Sequence, residues 1–177
     1  PLDGCGPDVD RETQNGKHHP MKTNTTTIPQ ITFYVACDDN LKSTVRKACA
    51  IWSDVLSGYV TLQPWEMGRI VNITVKIGDG VQTIAHPDRV AHCKSVAPDL
   101  WAIRLERGIK WAVTPWQRFW GLGEDALAAV VHELGHVFDL PHASDPIWVM
   151  HPDIGGNGKL SESEKASYRN FFIQKVL

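Results

Sequence analysis

The stretch Val131–His142, VHELGHVFDLPH, carries three histidines and a glutamate at spacings that suit a metal ion. On a helix advancing about 100° per residue, His132 and His136 lie about 40° apart on one face, with Cβ atoms roughly 5–6 Å apart. Two imidazoles so placed can grip zinc through metal–nitrogen bonds of about 2.0–2.1 Å. Glu133 lies about 60° from His136 and about 100° from His132. It flanks the pair, where a carboxylate can act as general base toward a water at the metal. His142 lies too far along the chain to share that helical face. The helix must break, and the chain must fold back, for His142 to become the third ligand. Three protein ligands leave one position open for water, the pattern of a catalytic zinc site and not of a closed structural one. The bland alternative is three histidines scattered on a buried helix. A three-ligand motif together with its base is far more specific than a bare H-E-x-x-H.

These residues need a rigid support. From Ala126 to Phe138 the only ionisable side chains are His132, Glu133 and His136, so this segment predicts a buried helix whose polar groups need a compensating charge. Glu124 and Asp125 stand where it begins, favourably for its dipole. Upstream, Ile28–Ala36 reads as a strand. Asp38, Asp39 and Asn40 offer N-caps for a helix over Leu41–Leu56, whose apolar residues recur at helical spacing and which ends at Gly58. Tyr59–Pro64 and Ile70–Ile77 read as strands, as do Leu100–Leu105 and Trp111–Val113. Strand–helix–strand–strand order argues for a mixed sheet with a right-handed crossover. Thr114–Gly123, with Trp116, Phe119 and Trp120, reads only as aromatic packing. Ser161 and Glu164 form a capping box for a last helix through Lys175.

The stretch His132–His142, followed by Met150, resembles the metzincin zinc peptidases, whose motif is H-E-x-x-H-x-x-G-x-x-H with a later Met-turn. The pattern is closest to the matrix metalloproteinase (matrixin) catalytic domain. One position departs: the motif glycine falls at Asp139, and Asp tolerates the left-handed backbone better than most residues. The resemblance spans about residues 28–177 and is densest at 126–150. It implies an α+β fold with a twisted, mostly parallel sheet of about five strands, two long helices above a cleft, and a small C-terminal subdomain ending in a helix. The upper subdomain would cover about 28–142 and the lower one about 143–177. It implies an antiparallel edge strand within Ile84–Val96 that pairs with substrate backbone. It implies a zinc-dependent endopeptidase acting on a protein or peptide substrate, with Glu133 as general base and His132, His136 and His142 on one catalytic zinc. It implies that Met150 packs beneath the metal, and that Trp148 and Pro152 wall a substrate pocket. It also implies an extracellular, secreted protein.

Three further features are weighed against plainer readings. Residues 1–27 are polar and read as a tail or extended arm, in which Cys5-Gly6-Pro7-Asp8 resembles the cysteine switch of matrixin propeptides. Cys5 would then block the zinc and make a latent zymogen; the alternatives are a disulfide or a free thiol. His86, Asp88 and His92 could supply three ligands to a second, structural zinc, but a solvated loop is favoured. Asp153–Glu164 touches the calcium-loop pattern, and the capping box is the better account. The competing functional reading is a non-catalytic or latent peptide-binding module.

Bulk properties constrain the rest. At 177 residues and net charge −2 the chain suits one domain, expected to be a monomer, with no reason to seek nucleic acid or an anionic membrane as partner. No apolar run reaches the ~18–20 residues of a transmembrane segment. The chain opens at Pro1 with no signal peptide, as expected of a processed product. Most of the seven tryptophans are expected in the core or the cleft walls, and Cys5, Cys37, Cys49 and Cys93 allow three pairings if oxidised. Asn24 and Asn72 head glycosylation sequons.

Overall fold

Leu41, Val45, Ala48, Cys49, Trp52 and Val55 recur at three- and four-residue steps, and all are buried; they make Asp39–Val55 (α1) the helix that backs the three-histidine segment. The computed structural model describes residues 30–36, 39–82, 88–153 and 158–176. Around α1 stand β1 (Gln30–Ala36), β2 (Thr61–Pro64), β3 (Ile73–Gly78), β4 (Ala91–Ala97) and β5 (Leu100–Glu106). They are followed by β6 (Trp111–Ala112), α2 (Pro115–Phe119), β7 (Glu124–Asp125), α3 (Ala126–Val137) and α4 (Glu162–Val176). The fold is α+β.

The five longer strands form one sheet in the order β2-β1-β3-β5-β4. All pairings are parallel except β4 with β5, which is antiparallel and leaves β4 at the edge. In β3, Ile73 and Val75 face the core while Lys76 is exposed. Ile103 and Leu105 of β5 do the same. Helices α1 and α3 pack on each other and on the sheet, closing a core that includes Trp52, Ile73, Ile103, Leu134 and Met150. Burial of such side chains is worth about 1.5–3 kcal/mol each. The edge strand begins inside the expected window but runs to Ala97, past its end at Val96.

The segment after β6 forms the short helix α2, closed at its start by a capping box between Thr114 and Gln117. None of its residues is buried. Trp116, Phe119 and Trp120 pack only ring against ring on the surface, because five residues cannot present an apolar stripe to the core. Of the seven tryptophans, Trp52 belongs to the buried core and Trp101, Trp111 and Trp148 pack against it, while Trp116 and Trp120 are exposed. Asn72 accepts the Thr32 N–H at 3.0 Å and donates to the Asp99 carbonyl at 3.2 Å. Its amide ties β1 to the turn before β5.

At the far end of the chain, the capping box of α4 forms as its sequence suggests. The Glu164 N–H donates to Ser161 Oγ at 3.2 Å, and Glu164 Oε2 accepts the Ser161 N–H at 2.8 Å. No helix is long and apolar enough to cross a membrane among the described residues.

Candidate metal centre

Helix α3 starts on Asp125, whose carboxylate accepts the N–H groups of Leu127 and Ala128 at 2.8 and 3.2 Å. The helix is buried from Ala126 to Gly135. Its alignment against α1 is fixed by Trp52, which donates its indole N–H to the Val131 carbonyl at 2.8 Å. Gly135 is required by packing: a Cβ there would lie 2.3 Å from Met150 Sδ. Met150, fully buried, therefore sits against the turn that carries His132 and His136.

The helix ends at Phe138, and Asp139 takes the left-handed conformation with φ 59°. The turn is closed by N–H donation from Phe138 and Leu140 to the Gly135 carbonyl and from Asp139 to the His136 carbonyl. An aspartate thus holds this left-handed position, at a cost of about 1 kcal/mol or more. Its carboxylate is held by Lys175 at 2.8 Å. The fold-back delivers His142 to the other two histidines.

The three rings converge through their Nε2 atoms. His136 Nε2 lies 3.1 Å from His132 Nε2 and 3.2 Å from His142 Nε2. Two nitrogens bound to one tetrahedral zinc at about 2.0–2.1 Å would be separated by roughly 3.3 Å, so the spacing fits. The protonation pattern fits as well. His132 Nδ1 faces the Val149 carbonyl at 2.8 Å, and His136 Nδ1 faces the Leu140 carbonyl at 2.9 Å. A carbonyl only accepts, so each Nδ1 carries a hydrogen, which in a neutral ring leaves Nε2 with a bare lone pair aimed at its neighbour. Burial, together with the His136, His142 and His151 rings, pushes His132 down to about 4 and so keeps it neutral, although the Val149 carbonyl works the other way. Burial and the same crowding, with Arg89, also lower His142. Lone pairs facing at 3.1 Å repel; a cation between them turns the repulsion into bonding. The three histidines are close enough to hold a metal ion, and they form the one such group of three or more among the described residues.

Glu133 is 4% exposed and lies on the floor of the cleft beside this cluster. Burial pushes its carboxyl up to about 7, against the opposing pull of the Arg89 charge and the Cys93 backbone. The cleft has a volume of about 650 Å³. Strand β4 forms one wall through Ala91, His92 and Cys93, and Pro152 and Asp153 lie in the other. Burial raises the Cys93 thiol to about 12, so it is a poor nucleophile or ligand.

The remaining candidates fall as follows. Pro152 lines the cleft, while Trp148 is half-buried and turns its ring onto Tyr168 with centroids 5.8 Å apart. Asp88 and His92 both line the cleft, and His86 lies outside the described residues. His92 pairs across the strands with Arg104, and burial plus the Arg104, Arg89 and Lys94 charges lowers its pKa. Three cations around one imidazole disfavour a dication at that place. His151 faces the Asp153 backbone and stands apart from the cluster. Cys5, Cys37 and the centre of the calcium-like loop lie outside the described residues. Cys49 and Cys93 carry free thiols.

Three contributors carried no recognisable signal in the sequence: the carbonyls of Val149 and Leu140, which orient two histidines, and Arg89, whose charge acts on Glu133 and His142. No protein-family model matches this chain, and no curated protein is similar to it.

Proposed function

We propose that the protein is a zinc-dependent endopeptidase of metzincin type. The observation that carries this reading is the convergence of three imidazole Nε2 atoms, with two of the rings held by Nδ1 contacts to backbone carbonyls, beside a buried carboxylate in an open cleft. His132, His136 and His142 would hold the zinc, and three protein ligands leave one position for solvent. When bound, zinc lowers the pKa of a water to about 7 and polarises the scissile carbonyl.

Glu133 performs the proton transfers. Its carboxylate takes a proton from the attacking water as the C–O bond forms. The same carboxyl then hands that proton to the amine nitrogen as the C–N bond breaks. Its burial raises its basicity, and a base works best when its pKa lies near the operating pH. Strand β4 ends the sheet and pairs on its outer side with no further strand among the described residues, so an extended peptide could add there along the cleft. Recognition would then rest largely on main chain, which suits an enzyme that cuts within polypeptides.

The test is hydrolysis of a generic denatured protein substrate by the zinc-loaded chain. Cleavage should stop with a chelator and return with zinc. Glu133→Ala should keep zinc and fold and lose nearly all turnover, since removing a general base costs about 10²–10⁴-fold. A Glu133→Ala chain that still cleaves at the wild-type rate rules the mechanism out.

A further inference from the structure

Helix α4 lines no part of the cleft, yet each of its ends grips a backbone segment that orients a zinc-binding histidine. At its first turn Glu164, 2% exposed, accepts the Val149 N–H on Oε1 at 2.8 Å. The carbonyl of the same Val149 holds His132 Nδ1 at 2.8 Å. Glu164 Oε2 is engaged separately by the Ser161 N–H and hydroxyl, both at 2.8 Å. At its last turn Lys175 holds the Asp139 carboxylate at 2.8 Å. Asp139 is followed by Leu140, whose carbonyl holds His136 Nδ1 at 2.9 Å. Phe172 of α4 packs edge-on against Phe138 at the same turn.

We propose that Glu164 and Lys175 are positioning residues that fix the tautomer and aim of His132 and His136, so that the C-terminal helix sets the metal affinity of a site it does not touch. This rests on the reading of the three histidines as a zinc site. The physical basis is that a ligand imidazole is aimed by the partner of its other nitrogen. Here that partner is a backbone carbonyl on a loop, and a loop carbonyl is only as fixed as its neighbours. Val149 is fixed by a buried carboxylate. Asp139 holds a costly left-handed conformation that its ion pair helps to secure.

The experiment uses the full chain, free of metal and loaded with zinc. Zinc dissociation constants are measured by competition with a chromogenic chelator, and histidine tautomers by long-range proton–nitrogen NMR of the metal-free protein. Glu164→Gln puts an NH2 group against an N–H of Val149 or Ser161. It should weaken zinc binding by about tenfold or more, the usual effect of losing a ligand's outer partner, and should mix the His132 tautomers. Lys175→Met removes an exposed ion pair and should weaken zinc by roughly two- to fivefold. Ser161→Ala damages the helix cap but keeps Glu164 on Val149; it should lower the melting temperature and leave the zinc constant within about twofold.

A folded Glu164→Gln chain with wild-type zinc affinity and a single His132 tautomer overturns the inference. Should that variant fail to fold, Lys175→Met decides, and an unchanged zinc constant overturns it. Should the wild-type chain bind no zinc, the metal reading fails, and the tautomer comparison alone decides whether α4 orients His132.

Discussion

Replacing Gly135 by alanine probes the packing beneath the histidines most sharply. The new Cβ would lie 2.3 Å from Met150 Sδ, 2.9 Å from Met150 Cε and 3.2 Å from Trp52 Cζ2. Met150 and Trp52 are both fully buried, so neither can move aside into solvent. Overpacking of this kind costs about 1–3 kcal/mol, and a 2.3 Å clash belongs at the upper end. Alanine gains about 1 kcal/mol over glycine within a helix. The net loss should be about 2 kcal/mol, or roughly 4–8 °C in melting temperature for a chain of this length. Denaturant melts in excess chelator measure it without a contribution from zinc. Met150→Ala alone should cost about 2–5 kcal/mol through its cavity. In the double variant the alanine Cβ occupies part of that space, so the two costs should fall short of their sum by about 0.5–3 kcal/mol. A Gly135→Ala chain as stable as the parent, or strictly additive costs, would refute the contact.

Glu106 accepts the N–H groups of Val81, Gln82 and Arg107 at 3.0–3.1 Å, and these bonds hold its carboxyl below the usual range. A folded pKa below the unfolded value of about 4.3 means its stabilisation is complete above that pH and lost as pH falls through the folded value. The stability gap between wild type and Glu106→Gln should be open at pH 7 and shrink near pH 3; a constant gap in urea midpoints contradicts this. Asp125→Ala removes the cap of α3 and should cost about 0.5–2 kcal/mol by the same melts. His142→Ala should weaken zinc retention in equilibrium dialysis, whereas His92→Ala should leave one zinc per chain; the reverse pattern would move the metal to the other cluster.

The metal helix was legible because a buried helix tolerates ionisable side chains only at a site that uses them, and His132, Glu133 and His136 were the only ones it had. The turn to His142 was expected from the spacing of the histidines and the resemblance, and Asp139, the one departure from that pattern, does take positive φ there. The capping box of α4 could be read from Ser161 and Glu164, but its reach to Val149 could not, because a backbone N–H leaves no trace in residue type. The same holds for the Val149 and Leu140 carbonyls. The aromatic packing read from the run around α2 is present, but as rings set against one another at the surface, and residue type alone did not say against what they would pack.

Whether one zinc sits among the three imidazoles is read off crystals of the zinc-loaded chain measured at the zinc absorption edge. The expected anomalous map has one strong peak about 2.0–2.1 Å from Nε2 of His132, His136 and His142. A peak elsewhere, or one held by His132 and His136 with His142 turned away, would contradict the account.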